Sequence, residues 1–231
     1  MKTVAFIFAR GGSKGLPNKN IKLFSGKPLI AHTISQAIKS NLFSDVVVST
    51  DSEYIAKISK KYGANVPFIR PSKLANDTSN EWLSWKHAIK NYIGDIDCFV
   101  SLPCTSPLRN YETVRKMINY YKSNKFNVVL GIVKSNHSPS FNMAIKDDDD
   151  MIKIMDQSKN QINRRQDAEK CYRITTYAYI TSAKYIDIAD HLFNGSVGGY
   201  EVSKNESIDI DDDYDFDIAS YMHSKSNEYK N

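Results

Sequence analysis

The chain has 231 residues, of which 41% are hydrophobic and 25% charged, and it carries a net charge of +5. This is ordinary globular usage with enough length for one large core, so wholesale disorder is excluded. No apolar run approaches the roughly 20 residues of a membrane span.

The three cysteines, Cys98, Cys104 and Cys171, are odd in number and lack C-x-x-C spacing. They argue against a disulfide scaffold or zinc module and for a reducing cytoplasm. The charge is unevenly placed. Residues 1–44 hold Lys2, Arg10, Lys14, Lys19, Lys22, Lys27 and Lys39 without an acid, whereas residues 205–217 hold seven acids without a base. A basic end could serve nucleic acid, but no aromatic platforms interleave with these lysines and no nucleic-acid motif is present. A cationic loop and a carboxylate cluster in one domain instead suggest a phosphate ligand with its metal ion.

The opening apolar stretch reads as a first strand, Val4–Phe8, rather than a signal peptide. Further strands are expected at Val46–Ser49, Val66–Ile69, Cys98–Leu102 and Val128–Val133. Between them, apolar residues recur every three or four positions: Leu29 to Ile38, Ile55 to Ile58, Trp82 to Ile89 and Val114 to Tyr121. Strands alternating with helices predict an α/β fold with a doubly wound, mostly parallel, Rossmann-like sheet. Ligands on such sheets sit at the carboxyl ends of the strands, where Arg10, Asp51 and the Pro103–Ser106 run fall.

From Lys134 the rhythm changes. Residues 135–172 read as a lobe inserted into a single domain, with Asp147–Asp150 as a solvated turn between Phe141–Ile145 and Met151–Met155. Regular patterning returns at Arg173–Ile180 and Ser207–Ile210, and a last helix is expected near Asp213–Met222.

Two segments carry chemistry. In Phe8–Asn20, Gly11, Gly12 and Gly15 permit an anion nest, to which Arg10, Lys14 and Lys19 add charge and Ser13 a hydroxyl. The spacing is neither a Walker A loop nor G-x-G-x-x-G. In Ser207–Asp215, Asp209 and Asp211 share one face of an extended strand, an arrangement that suits magnesium completed by water and phosphate oxygens. Asp213 and Asp215 read as helix-capping acids. The five histidines show no zinc spacing; His137 is the one near a candidate ligand surface. Cys104 reads as a small packing residue, and Trp82 and Trp85 as core or interface anchors.

The Phe8–Asn20 segment resembles the A-R-x-x-S-K-G-x-x-x-K-N signature of cytidylyltransferases that activate nine-carbon 2-keto sugar acids, the CMP-sialic acid synthetases and their legionaminic and pseudaminic relatives. Val48–Asp51, Arg70-Pro71 with Leu74–Thr78, Thr105–Arg109, Arg165-Gln166 and Ser207–Asp211 agree in order. The resemblance implies nucleotide binding by Ala9, Arg10, Gly11, Gly12, Ser13, Lys14 and Lys19, with the CTP phosphates on Arg10, Gly12, Ser13, Lys14 and Lys19. It also implies the ribose on Asn20, the base end near Arg70 with Asp77, and magnesium on Asp209 and Asp211. Arg10, Lys19 and Asp211 would be catalytic. Arg164, Arg165 and Gln166 would line the sugar pocket, and the lobe would pack on the partner of a homodimer. Two departures concern the acceptor: Pro103 stands where the family carries glutamine, and Ile174–Tyr179 replaces an Asn-Gly before an aromatic strand. Both point to a variant nonulosonate. The rival expectations are a nucleotidyltransferase for another acid such as 3-deoxy-octulosonate, and a non-catalytic nucleotide-binding module.

Overall fold

The computed structural model describes residues 2–13, 15–76, 79–157, 162 and 164–228. In chain order it contains β1 (Thr3–Phe8), β2 (Leu23–Phe24), β3 (Lys27–Pro28), α1 (Leu29–Lys39), β4 (Asp45–Ser49), α2 (Glu53–Lys61), α3 (Glu81–Asn91) and β5 (Cys98–Ser101). It continues with α4 (Tyr111–Ser123), β6 (Val128–Lys134), β7 (Ala144–Lys146), β8 (Ile152–Ile154), β9 (Tyr172–Thr181), α5 (Ala183–Ile188), β10 (Val197–Glu201) and α6 (Asp213–Glu228).

The central sheet has the order β10-β6-β9-β5-β1-β4. β4 and β5 run parallel to β1 on either side of it, and β10 runs parallel to β6. β9 alone is antiparallel to both its neighbours, so the sheet is mostly parallel, as expected. Side chains alternate across β1. Ala5 and Ile7 pack with Ile30 and Ile34 of α1, Ile55 of α2 and Met117 of α4, while Val4 and Phe6 pack with Trp82 and Trp85 of α3 and Ile186 of α5. Helices thus cover both faces. The chain passes from β1 outward to β4 and then returns to β5 on the opposite side, leaving a crevice outside the carboxyl ends of β1 and β5.

Beyond the short β2–β3 pair and α5, which were not expected, two differences concern the central sheet. Val66–Ile69 forms no strand; only Asn65 bridges to Val47, and the chain then runs extended until the Arg70 N–H donates to the Thr50 carbonyl at 2.8 Å. The unexpected edge strand β10 is hidden in the sequence by Gly198-Gly199. A Cβ on Gly198 would stand 2.5 Å from the Phe126 ring, so a wider residue does not fit beside β6.

Residues 135–172 connect β6 to β9, whose last pair is Lys134–Tyr172. Within this excursion β7 and β8 form an antiparallel hairpin, and Asp147–Asp150 is its turn. Asp150 takes a left-handed φ of 64°, while the Asp147 carboxylate accepts from the Asp149 and Met151 N–H groups. No described helix is long and apolar enough to cross a membrane.

Candidate active site

The chain leaves β1 at Phe8 and turns through residues 9–20 across the crevice. Two contacts fix this loop. The Gly11 N–H donates to Asp51 Oδ1 at 2.9 Å, tying the loop to the end of β4. At Gly15, an added Cβ would lie 2.6 Å from the Asp211 carbonyl oxygen, so only glycine allows the loop to approach the carboxylate segment this closely. Neither Gly11 nor Gly12 has a positive φ, and the Gly11 N–H is already used within the protein. The left-handed residue is Asn18, at φ 54°, which starts the short turn that carries Lys19.

The carboxylates arrive from the far end of the sequence. Ile210 donates its N–H to the Thr105 carbonyl at 2.9 Å and buries its side chain with Leu16, Phe24, Leu29 and Ala219. Fully burying such a side chain stabilises by about 1.5–3 kcal/mol. Because Ile210 points inward, the neighbouring Asp209 and Asp211 turn the other way. Lys19 Nζ then donates to the Ile210 carbonyl at 2.6 Å and to Asp211 Oδ1 at 3.1 Å. The basic loop and Asp211 thus meet in one cleft of about 480 Å³, lined among others by Arg10, Ser13, Lys19, Asn20, Arg70 and Asp211.

Asp209 stands behind this lining. Its Oδ1 is buried without a hydrogen-bond partner. Burial pushes its carboxyl above the ordinary aspartate value, with Asp211 adding to the rise, against the Thr105 and Thr176 hydroxyls and Lys19. A buried carboxylate oxygen with an open lone pair, next to a second carboxylate, fits a hard divalent cation. Among the described residues no three His, Cys, Asp or Glu side chains cluster as a cage, so such an ion would need ligand phosphates and water for the rest of its shell.

The other end of the cleft is built by Arg70 and the start of α3. Arg70 is buried, its Nη2 lies 4.0 Å from Asp51 Oδ1, and its Nε has no partner. Burial lowers its pKa, opposed by Asp51 and Glu81, and Arg10 lowers it further, which places both arginines in one field. Asn76, part of the Leu74–Thr78 block, and Glu81 also line the cleft, and sequence reasoning did not single out Glu81. Desolvation raises the Glu81 carboxyl, although Trp85 Nε1 donates to Glu81 Oε1 at 3.2 Å. In sequence Glu81 reads only as an acid in a first helical turn, after the Asn80 cap whose Oδ1 accepts from Trp82 N. Lys14 and Asp77 lie outside the described residues.

The expected sugar residues do not join this cleft within one chain. Arg164 pairs with Asp167 at 2.8 Å, and Arg165 donates to Asn136 Oδ1 at 2.5 Å. Arg165, Gln166 and His137 line a second cleft of about 360 Å³ that shares no lining residue with the first. The reason is topological: the lobe leaves the sheet from the β6–β9 pair, and its arginines are held by partners inside the lobe. Asp213 and Asp215 stand in the first turn of α6, as expected of acids at a helix N-terminus, and a third acid supplies the cap. Asp212 Oδ1 accepts from Asp215 N at 2.9 Å and so caps the helix, while Asp213 pairs with Lys22 and Asp215 accepts from Asp211 N.

The family model described as Cytidylyltransferase matches residues 4–225. The chain is 34% identical, over 99% of its length, to an N-acylneuraminate cytidylyltransferase of Escherichia coli O18:K1:H7, and spans about half of that protein, 54%. It is 31% identical, over 96% of its length and 94% of the relative's, to a CMP-N,N'-diacetyllegionaminic acid synthase of Campylobacter jejuni. Among solved structures, a CMP:2-keto-3-deoxy-manno-octonic acid synthetase complexed with CTP superposes with a TM-score of 0.75, covering 98% of this chain and 100% of that one, at 14% identity, a likeness of fold. Matched along nearly its whole length, the chain belongs to the cytidylyltransferase family.

Proposed function

We propose that the chain transfers CMP from CTP to the anomeric hydroxyl of a nine-carbon 2-keto-3-deoxy sugar acid, releasing pyrophosphate. The observation that carries this reading is Lys19, whose ammonium spans the Ile210 carbonyl and Asp211 in the cleft it shares with Arg10, Ser13 and Arg70. The names of the two sequence relatives supply the acceptor class.

Substitution at phosphorus asks the protein mainly for positioning and charge neutralisation. Arg10, Ser13, Lys14 and Lys19 hold the triphosphate. Arg10 and Lys19 stabilise the charge that grows on the α-phosphate and on the leaving pyrophosphate. Arg70 and the cleft wall around Glu81 and Asn76 receive the nucleoside end. A divalent cation on Asp209 and Asp211, magnesium in this reading, would supply a Lewis acid that neutralises phosphate charge and makes the acceptor hydroxyl more acidic.

The acceptor's carboxylate is assigned to the lobe, where the Arg165 guanidinium can pair bidentately, with Arg164 and Gln166 beside it. Because that cleft is separate from the first, the reading includes a homodimer in which each lobe completes the neighbouring site. Support comes from the β7–β8 hairpin, which leaves Met151 67% and Ile152 72% exposed. Free cysteines at 98, 104 and 171 support a cytoplasmic location.

The test is pyrophosphate release from CTP, UTP, ATP and GTP against a panel of eight- and nine-carbon keto acids, with magnesium and with a chelator. Release with CTP, a nonulosonic acid and magnesium is expected. Release confined to another nucleotide or to the eight-carbon acid, or persisting undiminished in the chelator, would overturn the reading.

A further inference from the structure

Cys104 is buried, 2% exposed, and stands behind the wall of the nucleotide cleft. Its Sγ donates to Asn20 Oδ1 at 2.9 Å, and Asn20 Nδ2 donates to the Arg10 carbonyl at 3.0 Å. These two bonds determine each other. A backbone carbonyl can only accept, so Nδ2 must face Arg10; Oδ1 is then turned towards Cys104 and requires a donor there. Burial raises the thiol to about 11, so it keeps its proton at neutral pH and can serve as that donor. With Oδ1 turned inward, what Asn20 has left for the cleft it lines is its remaining amide hydrogen.

We infer that Cys104 is a positioning residue for nucleotide binding: its thiol locks the Asn20 carboxamide so that the side chain presents an N–H to an acceptor oxygen of the nucleotide. The inference rests on the CTP reading above and adds to it a residue that does not itself touch the ligand.

The test is a double-mutant cycle on the full-length chain, read by calorimetric CTP binding and by KM for each substrate, with thermal melting as the check of folding. Cys104→Ala is expected to weaken CTP about three- to tenfold, the scale of one lost hydrogen bond, while the acceptor KM stays constant. Cys104→Ser keeps a donor and is expected to bind within about twofold of the parent. In an Asn20→Ala background, Cys104→Ala is expected to add nothing, because the group it positions is gone. An equal loss from Cys104→Ala in both backgrounds, or a serine variant as weak as the alanine one, would reduce Cys104 to packing. A parent chain that binds no CTP would instead overturn the nucleotide reading itself.

Discussion

The nucleotide cleft and the inserted lobe are built on opposite principles. Around the cleft the side chains are set by the core: Asn20, Arg70 and Arg109 are buried, and Ile210 anchors the acids with no exposed surface. Arg109 shows how far this goes, with its guanidinium donating to the carbonyls of Pro103 and Tyr177 and so holding the Thr105 loop against β9. In the lobe, every residue of β7 and β8 is exposed, and the arginines form local pairs at the surface. The contrast is between a cleft whose side chains one chain's own core fixes and a lobe whose hairpin and arginines stay at the surface; in the function proposed above, these are the nucleotide half and the half that a second subunit would complete.

The comparison breaks most directly at Lys19. Lys19→Ala is expected to lower kcat by roughly a hundredfold or more, as for loss of a group that stabilises transition-state charge. Turnover close to that of the parent would show that the nucleotide half does not depend on its cation. A substitution in the hairpin tests the other half. Ile152→Asp, at a position already 72% exposed, is expected to leave melting unchanged, to yield monomers in sedimentation, and to lower kcat/KM for the acceptor about tenfold. Persisting dimers, or monomers with full activity, would remove the contrast.

The smallest effect is expected at Asp209, where stability and function part. Its carboxyl is raised in the fold by burial, so the folded state favours the protonated form. Stability from this group is fully present below the ordinary aspartate range and is lost as pH rises through the raised native value. Asp209→Asn should therefore raise the melting point near pH 7 by about 2–4 °C, the equivalent of ~1 kcal/mol. The gain should vanish near pH 3, while magnesium-dependent turnover falls. A lower melting point at pH 7 would show that the carboxylate is paid back by partners inside the fold.

Much of the fold was legible because its central strands are runs of Val, Ile and Phe. Residues 4–8, 46–49, 98–101 and 128–133 are strands where that pattern places them. Val66–Ile69 carries the same apolar types but includes Pro67, which has no N–H to give a ladder, and only the bridge at Asn65 joins this stretch to β4. The reversal of β9 follows from which strand it reaches across the β6–β9 connection, and periodicity carries no direction. At the site, the loop cations and the acids were readable because charge of one sign clusters in each segment. Glu81 and the Cys104–Asn20 bond were not, since both roles depend on segments far apart in sequence being brought together by tertiary packing.

The seam between Gly15, Lys19 and the segment at Ile210 has a consequence for biosynthesis. Lys19 and Asp211 are separated by 192 positions, so during translation the cationic loop emerges long before the acids that close it. Contacts of such long sequence separation form late. A nascent or truncated polypeptide that stops short of Asp209 carries the basic turn with neither carboxylate opposite it, and the ribosome must pass residue 211 before a complete centre can assemble.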